Sequence, residues 1–190
     1  MNFASDNVYG VHPAIMQAMA DANSGTQGSY GADEFTARAE RQLCEIFERD
    51  VDVFLVLTGT AANSLCLSAM VPPYGACLCH SEAHIMVDEC GAPELFTGGA
   101  KLIGIADPAG TLTPASITRV LDGFIRGEHD PKPKAVSITQ ATELGTVYSL
   151  DEIKTISDLA HGRGLRLHMD GARFSNALAS LGCTPAEMTW

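Results

Sequence analysis

Three short stretches of this chain hold residues with usable chemistry. The first, Thr58-Gly59-Thr60-Ala61-Ala62-Asn63, follows an apolar run and opens what reads as a helix. Gly59 lets backbone approach a ligand closely, the first helical N–H groups lack partners, and the helix dipole favours an anion there. That makes a phosphate seat; an ordinary turn with Thr as helix cap uses the same residues. Neither G-x-x-x-x-G-K-[ST] nor G-x-G-x-x-G is present, so nucleoside triphosphate and dinucleotide sites find no support. The second stretch is His168-Met169-Asp170-Gly171-Ala172-Arg173. Asp170 either caps the next helix or holds a carboxylate against a ring nitrogen, keeping a pyridine protonated as an electron sink. The third is Ser81-Glu82-Ala83-His84, where His84 is either a packing residue or a flat ring able to stack on a cofactor and move protons near neutral pH. His129, beside Asp130 and Pro131 in a polar loop, poses the same choice, whereas His12, His80, His161 and His168 read as structural. A phosphate seat paired with a distant strand-end Asp is what a phosphorylated pyridine requires.

The elements that must position these groups alternate between helix and strand, the pattern of an α/β fold. Helices are expected over 13–23, with Pro13 at its first position and Ile15, Met16 and Met19 on one face, and over 34–49, capped by Asp33. Further helices are expected over 61–70, from Thr113-Pro114 to 125, from the Ser149/Glu152 capping box to 161, and over 172–181. The run 51–57 is apolar apart from Asp52 and reads as a strand covered on both faces. With 76–79, 101–105, 134–139 and 165–169 it makes five strands of parallel character, and a polar loop is expected over 126–134. Such a sheet binds ligands at the carboxyl ends of its strands.

Composition narrows the partners. The 190 residues carry a net charge of −11 and no basic cluster, which disfavours a nucleic acid. No stretch reaches membrane-span length, and the start shows neither a basic segment nor an apolar one. Six cysteines (Cys44, Cys66, Cys77, Cys79, Cys90, Cys183) sit mostly in apolar stretches and read as small hydrophobes in a reducing cytoplasm. The Cys77-Leu78-Cys79-His80 cluster with Cys90 fits no common zinc spacing, so no metal is expected.

Taken in order, Thr58 to Asn63, Ser81 to His84 with Asp88-Glu89-Cys90-Gly91-Ala92-Pro93, Thr139-Gln140-Ala141-Thr142-Glu143, and His168 to Asn176 resemble the low-specificity L-threonine aldolases. These are pyridoxal-phosphate enzymes of the aspartate aminotransferase fold in the β-eliminating lyase superfamily, and the resemblance runs from Phe3 to Trp190. It implies a three-layer αβα large domain with a mostly parallel sheet, incomplete at its C-terminal end, over 33–190, after an N-terminal segment over 1–32 that makes a dimer contact. It further implies that Gly59 and Thr60 hold the phosphate, that His84 stacks on the pyridine, that Asp170 meets its nitrogen and that Arg173 lies beside its phenolic oxygen. Ser5 would lie near the substrate carboxylate, His129 near the substrate hydroxyl, and Tyr30 near the active site at the subunit interface.

The implied reaction is retro-aldol cleavage of L-threonine or a related β-hydroxy-α-amino acid to glycine and an aldehyde, with His84 or His129 as base, in a homotetramer built of dimers. The chain departs from this pattern in its lysines. Lys101, Lys132, Lys134 and Lys154 all precede Asp170, whereas the resemblance places the Schiff-base lysine, the last strands and the small C-terminal domain after it. The alternatives are therefore an inactive fragment that binds only cofactor or a homologous subunit, or a β-eliminating or transaminating relative. The Thr139 to Glu143 match favours the aldolase.

Overall fold

A computed structural model of the chain describes residues 8–190. Four strands, β1 (Gly75–His80), β2 (Lys101–Ile105), β3 (Lys132–Thr139) and β4 (Arg166–Asp170), form one parallel sheet in the order β2-β1-β3-β4. The helices are α1 (Pro13–Ala22), α2 (Glu34–Ile46), α3 (Gly59–Met70), α4 (His84–Val87), α5 (Ala92–Phe96), α6 (Pro114–Leu121), α7 (Leu150–Gly162), α8 (Phe174–Leu181) and α9 (Pro185–Thr189).

Successive residues of a strand face opposite sides of a sheet, and β1 divides its side chains between two cores accordingly. Leu78 joins Val136, Ile138, Ile117, Tyr148 and Ile156 in a core under α6 and α7, while Cys77 and Cys79 join Leu67, Val71 and Ile85 in a second core under α3. Helices thus cover both faces, giving the αβα arrangement. Both thiols are buried, and burial pushes Cys79 up to about 12 and Cys77 well above its ordinary value. They stay protonated and pack as hydrophobes, which suits neither a nucleophile nor a metal ligand.

The helix starts obey local chemistry. Asp33 caps α2 by accepting from the Thr36 N–H at 2.8 Å, and Ser149 and Glu152 cap α7 reciprocally. Thr184 and Glu187 form a further capping box that starts α9, a helix not among the expected elements although its signal is present in the sequence. The short α4 and α5 are also additions to the expected set, since four or five residues carry no readable period.

The main correction concerns 51–57. These residues form no strand, so the described residues hold four strands instead of five, and Phe54, Leu55 and Leu57 are 82%, 70% and 100% exposed. An apolar run reports that a segment is meant for burial, but a strand also needs a hydrogen-bonding neighbour, and no described strand pairs with this one.

Candidate active site

Parallel strands that end at one edge bring sequence-distant loops together. Asp170 is the last residue of β4, paired with Thr139 at the end of β3, and His84 begins α4 just past the end of β1. Asn63, in the second turn of α3, reaches both regions. Its Nδ2 donates to Glu89 Oε1 at 2.8 Å and to Asp170 Oδ2 at 2.9 Å. His84 Nδ1 lies 2.8 Å from the same Glu89 oxygen. Asn63, Glu89 and Asp170 are all buried, whereas the His84 side chain is 41% exposed. Two carboxylates, an amide and an imidazole therefore form one continuous network with its imidazole end open.

Asp170 also accepts from the Ala172 N–H through Oδ1 at 2.9 Å. The capping and ligand readings of this residue are compatible, since one oxygen braces the backbone while the other joins the network. Arg173 follows in the same turn, where its Nε donates to the Ala141 carbonyl at 3.0 Å and Nη2 lies 3.6 Å from Glu143 Oε1. That Nη2 is buried without a hydrogen-bond partner among the described residues, as is Oε2 of Glu89. Buried polar atoms are nearly always satisfied, so the Arg173 Nη2, a donor left over at the edge of the network, marks a place a bound acceptor would fill.

The α3 N-terminus completes the arrangement. Thr58 caps it, its Oγ1 accepting from the Ala61 N–H at 3.1 Å, which leaves the Gly59 and Thr60 N–H groups without an intrahelical acceptor. A Cβ built on Gly59 would meet nothing within 4 Å, so open space lies over this backbone. The local fold does not itself require glycine there, which favours a seat for a ligand over a simple turn.

His129 is not brought to this site. It ends a 3-10 turn, Gly127–His129, just before β3, whose first residue pairs with Gly75 at the amino end of the sheet. With eight residues in β3, it stands more than about 20 Å from Asp170. Within one copy of the chain, a histidine that precedes a strand lies at the opposite end of the sheet from the groups at that strand's exit. At that exit stands Glu143, whose Oε1 accepts from the His84 N–H at 2.9 Å. Tyr30 is fully exposed at a φ of 60° and touches none of these groups, and Ser5 lies outside the described residues. Asn63, Glu89 and Glu143 fall inside the resembling segments but carry no role in the sequence reading: His84 is five residues from Glu89, but the Asn63–Glu89, His84–Glu143 and Asn63–Asp170 contacts span 26, 59 and 107 residues. The other histidines are structural: His12 caps α1, the His80 ring bonds the Asp107 backbone, and His168 lies 2.8 Å from the Ser137 hydroxyl.

Comparison with known proteins is decisive for the family. The model of the beta-eliminating lyase family matches residues 2–190. The chain belongs to the beta-eliminating lyase family. It is 52% identical to the low specificity L-threonine aldolase of Pseudomonas sp. (strain NCIMB 10558) and 51% identical to that of Pseudomonas aeruginosa, each over 99% of this chain and 54% of the relative. Among solved structures, a threonine aldolase from Leishmania major superposes with a TM-score of 0.89 at 35% identity, covering 95% of this chain and 53% of that one. This family member thus spans about half the length of the curated relatives it matches. No described helix is long and apolar enough to cross a membrane.

Proposed function

We propose that this chain is the cofactor-binding portion of a pyridoxal-phosphate-dependent aldolase that cleaves L-threonine or related β-hydroxy-α-amino acids to glycine and an aldehyde. The observation that carries the reading is the network from His84 through Glu89 and Asn63 to Asp170, set at the carboxyl ends of the strands beside the unfilled N-terminus of α3. The beta-eliminating lyases are in general pyridoxal-phosphate enzymes, and the residues fit that group. The Gly59 and Thr60 backbone would hold its phosphate, Asp170 its ring nitrogen, His84 one face of its ring, and Arg173, whose Nη2 makes no hydrogen bond among the described residues, its phenolic oxygen. When bound, the cofactor supplies the electron sink that bond cleavage next to an amino group needs.

The chain's own residues have separable tasks. Asp170, held by Asn63 and the Ala172 N–H, presents a fixed carboxylate that keeps a ring nitrogen protonated. His84, pinned through its N–H by Glu143, stands open to the cleft and accepts the proton of the substrate hydroxyl. Arg173 sits close enough to Glu143 for their charges to steady each other.

The lysines support a further step of this reading. Lys101 pairs with Ala76 and Lys132 with Gly75, both at the amino end of the sheet, Lys134 lies two residues beyond Lys132, and Lys154 is on α7 bonded to Asp158. None takes part in the network at the carboxyl edge, so no lysine of the chain stands where a covalent anchor is needed. The chain should bind pyridoxal phosphate reversibly, and turnover requires an amine from elsewhere. The exposed Ile15, Met16 and Met19 of α1, together with exposed Tyr30, support a homo-oligomeric contact over 1–32, and six free cysteines support a reducing cytoplasm.

An absorbance titration with pyridoxal phosphate, followed by borohydride reduction and intact mass, tests this. Saturable binding that Asp170→Ala weakens at least about tenfold, with no mass gain at a lysine, is expected; an Asp170→Ala chain that binds as well as wild type would overturn it. Glycine release from L-threonine, L-allo-threonine and phenylserine, measured with lysine-bearing homologous subunits added, then reports the reaction class.

A further inference from the structure

Glu89 has no task in the chemistry above, yet the fold goes to some length to place it. Its side chain is fully buried, and the two residues after it, Cys90 and Gly91, both take left-handed backbone at φ 55° and 77°. For a non-glycine residue such as Cys90 that conformation carries a strain cost, which persists where the surroundings over-determine it. A buried carboxylate is itself expensive unless paired, and here Oε2 has no partner among the described residues.

All of the bonding falls on Oε1. It is met by His84 Nδ1 at 2.8 Å and by Asn63 Nδ2 at 2.8 Å. The Asn63 amide has only one workable orientation, because its NH2 lies between two carboxylates and a flip would set its carbonyl oxygen against both. Glu89 Oε1 therefore already accepts one hydrogen, and a proton on Oε2 would have nothing to bond to. The carboxylate is an acceptor, so the hydrogen between it and the imidazole belongs to Nδ1.

We infer that Glu89 is a positioning residue that locks His84 in the Nδ1–H tautomer, which makes Nε2 the nitrogen that takes and returns the proton. The inference rests on the reading of His84 as the base and adds which atom does the work. Nε2 makes no hydrogen bond among the described residues and belongs to the exposed part of the network, as a proton acceptor must. A second carboxylate, on Glu143, accepts from the backbone N–H of the same residue, so His84 is held at ring Nδ1 and at its main chain. A histidine in water favours the opposite, Nε2–H, form. A carboxylate partner reverses that preference, as it does for histidines whose one nitrogen is dedicated to orientation and the other to chemistry.

The tautomer can be read without cofactor or substrate, from the 15N shifts and ring couplings of the 15N-histidine-labelled chain at pH about 9, well above the ordinary imidazole pKa of about 6.5. The His84 signals are those missing from His84→Gln. The wild type is expected to hold Nδ1–H over Nε2–H by about tenfold or more, which is about 1.4 kcal/mol and within the worth of a bond to a charged group. Glu89→Gln, which keeps a carbonyl oxygen for Nδ1, should retain that tautomer; Glu89→Met, of similar volume with no acceptor, should shift it to Nε2–H. A wild-type ring in the Nε2–H form overturns the inference even if Glu89→Met fails to fold, and so does a folded Glu89→Met that stays Nδ1–H. The cofactor titration is a separate measurement. Failure there with an Nδ1–H ring removes the cofactor reading and leaves the tautomer assignment standing.

Discussion

Asn63 shows how one side chain can hold a site together. Both of its amide hydrogens go to carboxylates, and no other described side chain bridges Glu89 to Asp170. Asn63→Ala leaves those oxygens buried with one partner fewer each and should cost about 1–3 kcal/mol. Asn63→Asp sets a third negative charge between two others and should cost more, about 3–5 kcal/mol. Urea unfolding of both variants checks the order; an Asn63→Asp chain as stable as Asn63→Ala would mean the network is not ionised as described. His168 makes a separate prediction. Burial pulls its pKa below the ordinary 6.5, with nearby Asp170 opposing. The unfolded chain therefore takes up this proton first as pH falls. The stability is complete above pH 6.5 and is lost progressively below it, toward the lower folded value. The urea midpoint of the wild type minus that of His168→Gln should fall between pH about 7 and about 5, and a flat difference would remove His168 as a source of acid sensitivity. None of these pairings is readable from spacing, because residues 107 or 31 apart in sequence meet only once strand order is set.

At the scale of elements, the parts of the fold with a local cause were legible. Caps at Asp33, Thr113 and Ser149 start their helices as expected, and β2 has the bounds its apolar run predicts. The site was legible where a single element carries the feature: the α3 N-terminus and the Asp that ends β4. It was illegible where two elements must be placed first. His129 was expected at a site whose strand it enters from the opposite edge, while Glu143 at the exit carries no local signal of its role. The α3 terminus also yields a test that separates folding from binding. Gly59 has no positive φ, and a Cβ there meets no protein atom, so Gly59→Ala should leave the melting temperature unchanged or slightly higher, since alanine is the better helix former. The added methyl would occupy the space over the Gly59 and Thr60 N–H groups, and the affinity for pyridoxal phosphate should fall at least about fivefold. Unchanged affinity in a stable Gly59→Ala chain would dismiss this helix end as the phosphate seat.

At the scale of the whole molecule, the apolar surface is unevenly placed. Four consecutive residues, Phe54 to Leu57, are exposed between 40% and 100%, and no residue of α1 or α2 is buried. The sheet and its two cores are closed by α3, α6 and α7, whereas the described segments before residue 58 contribute neither strand nor buried core residue. A contiguous exposed apolar patch of this kind marks a surface built to be covered, and left open it drives association. The net charge of −11 opposes such contact at long range, but charge repulsion is screened within about 8 Å at physiological salt while apolar burial is not. The chain alone should therefore self-associate, more so as salt rises. Sedimentation velocity over a tenfold concentration range should show an increasing mass for the wild type. Leu55→Lys with Leu57→Lys should sediment as a monomer at the same concentrations with an unchanged far-UV circular dichroism spectrum, because neither side chain packs in either core. If the double variant associates as strongly as the wild type, the contact lies elsewhere, and the exposed stripe of Ile15, Met16 and Met19 on α1 becomes the surface to change next.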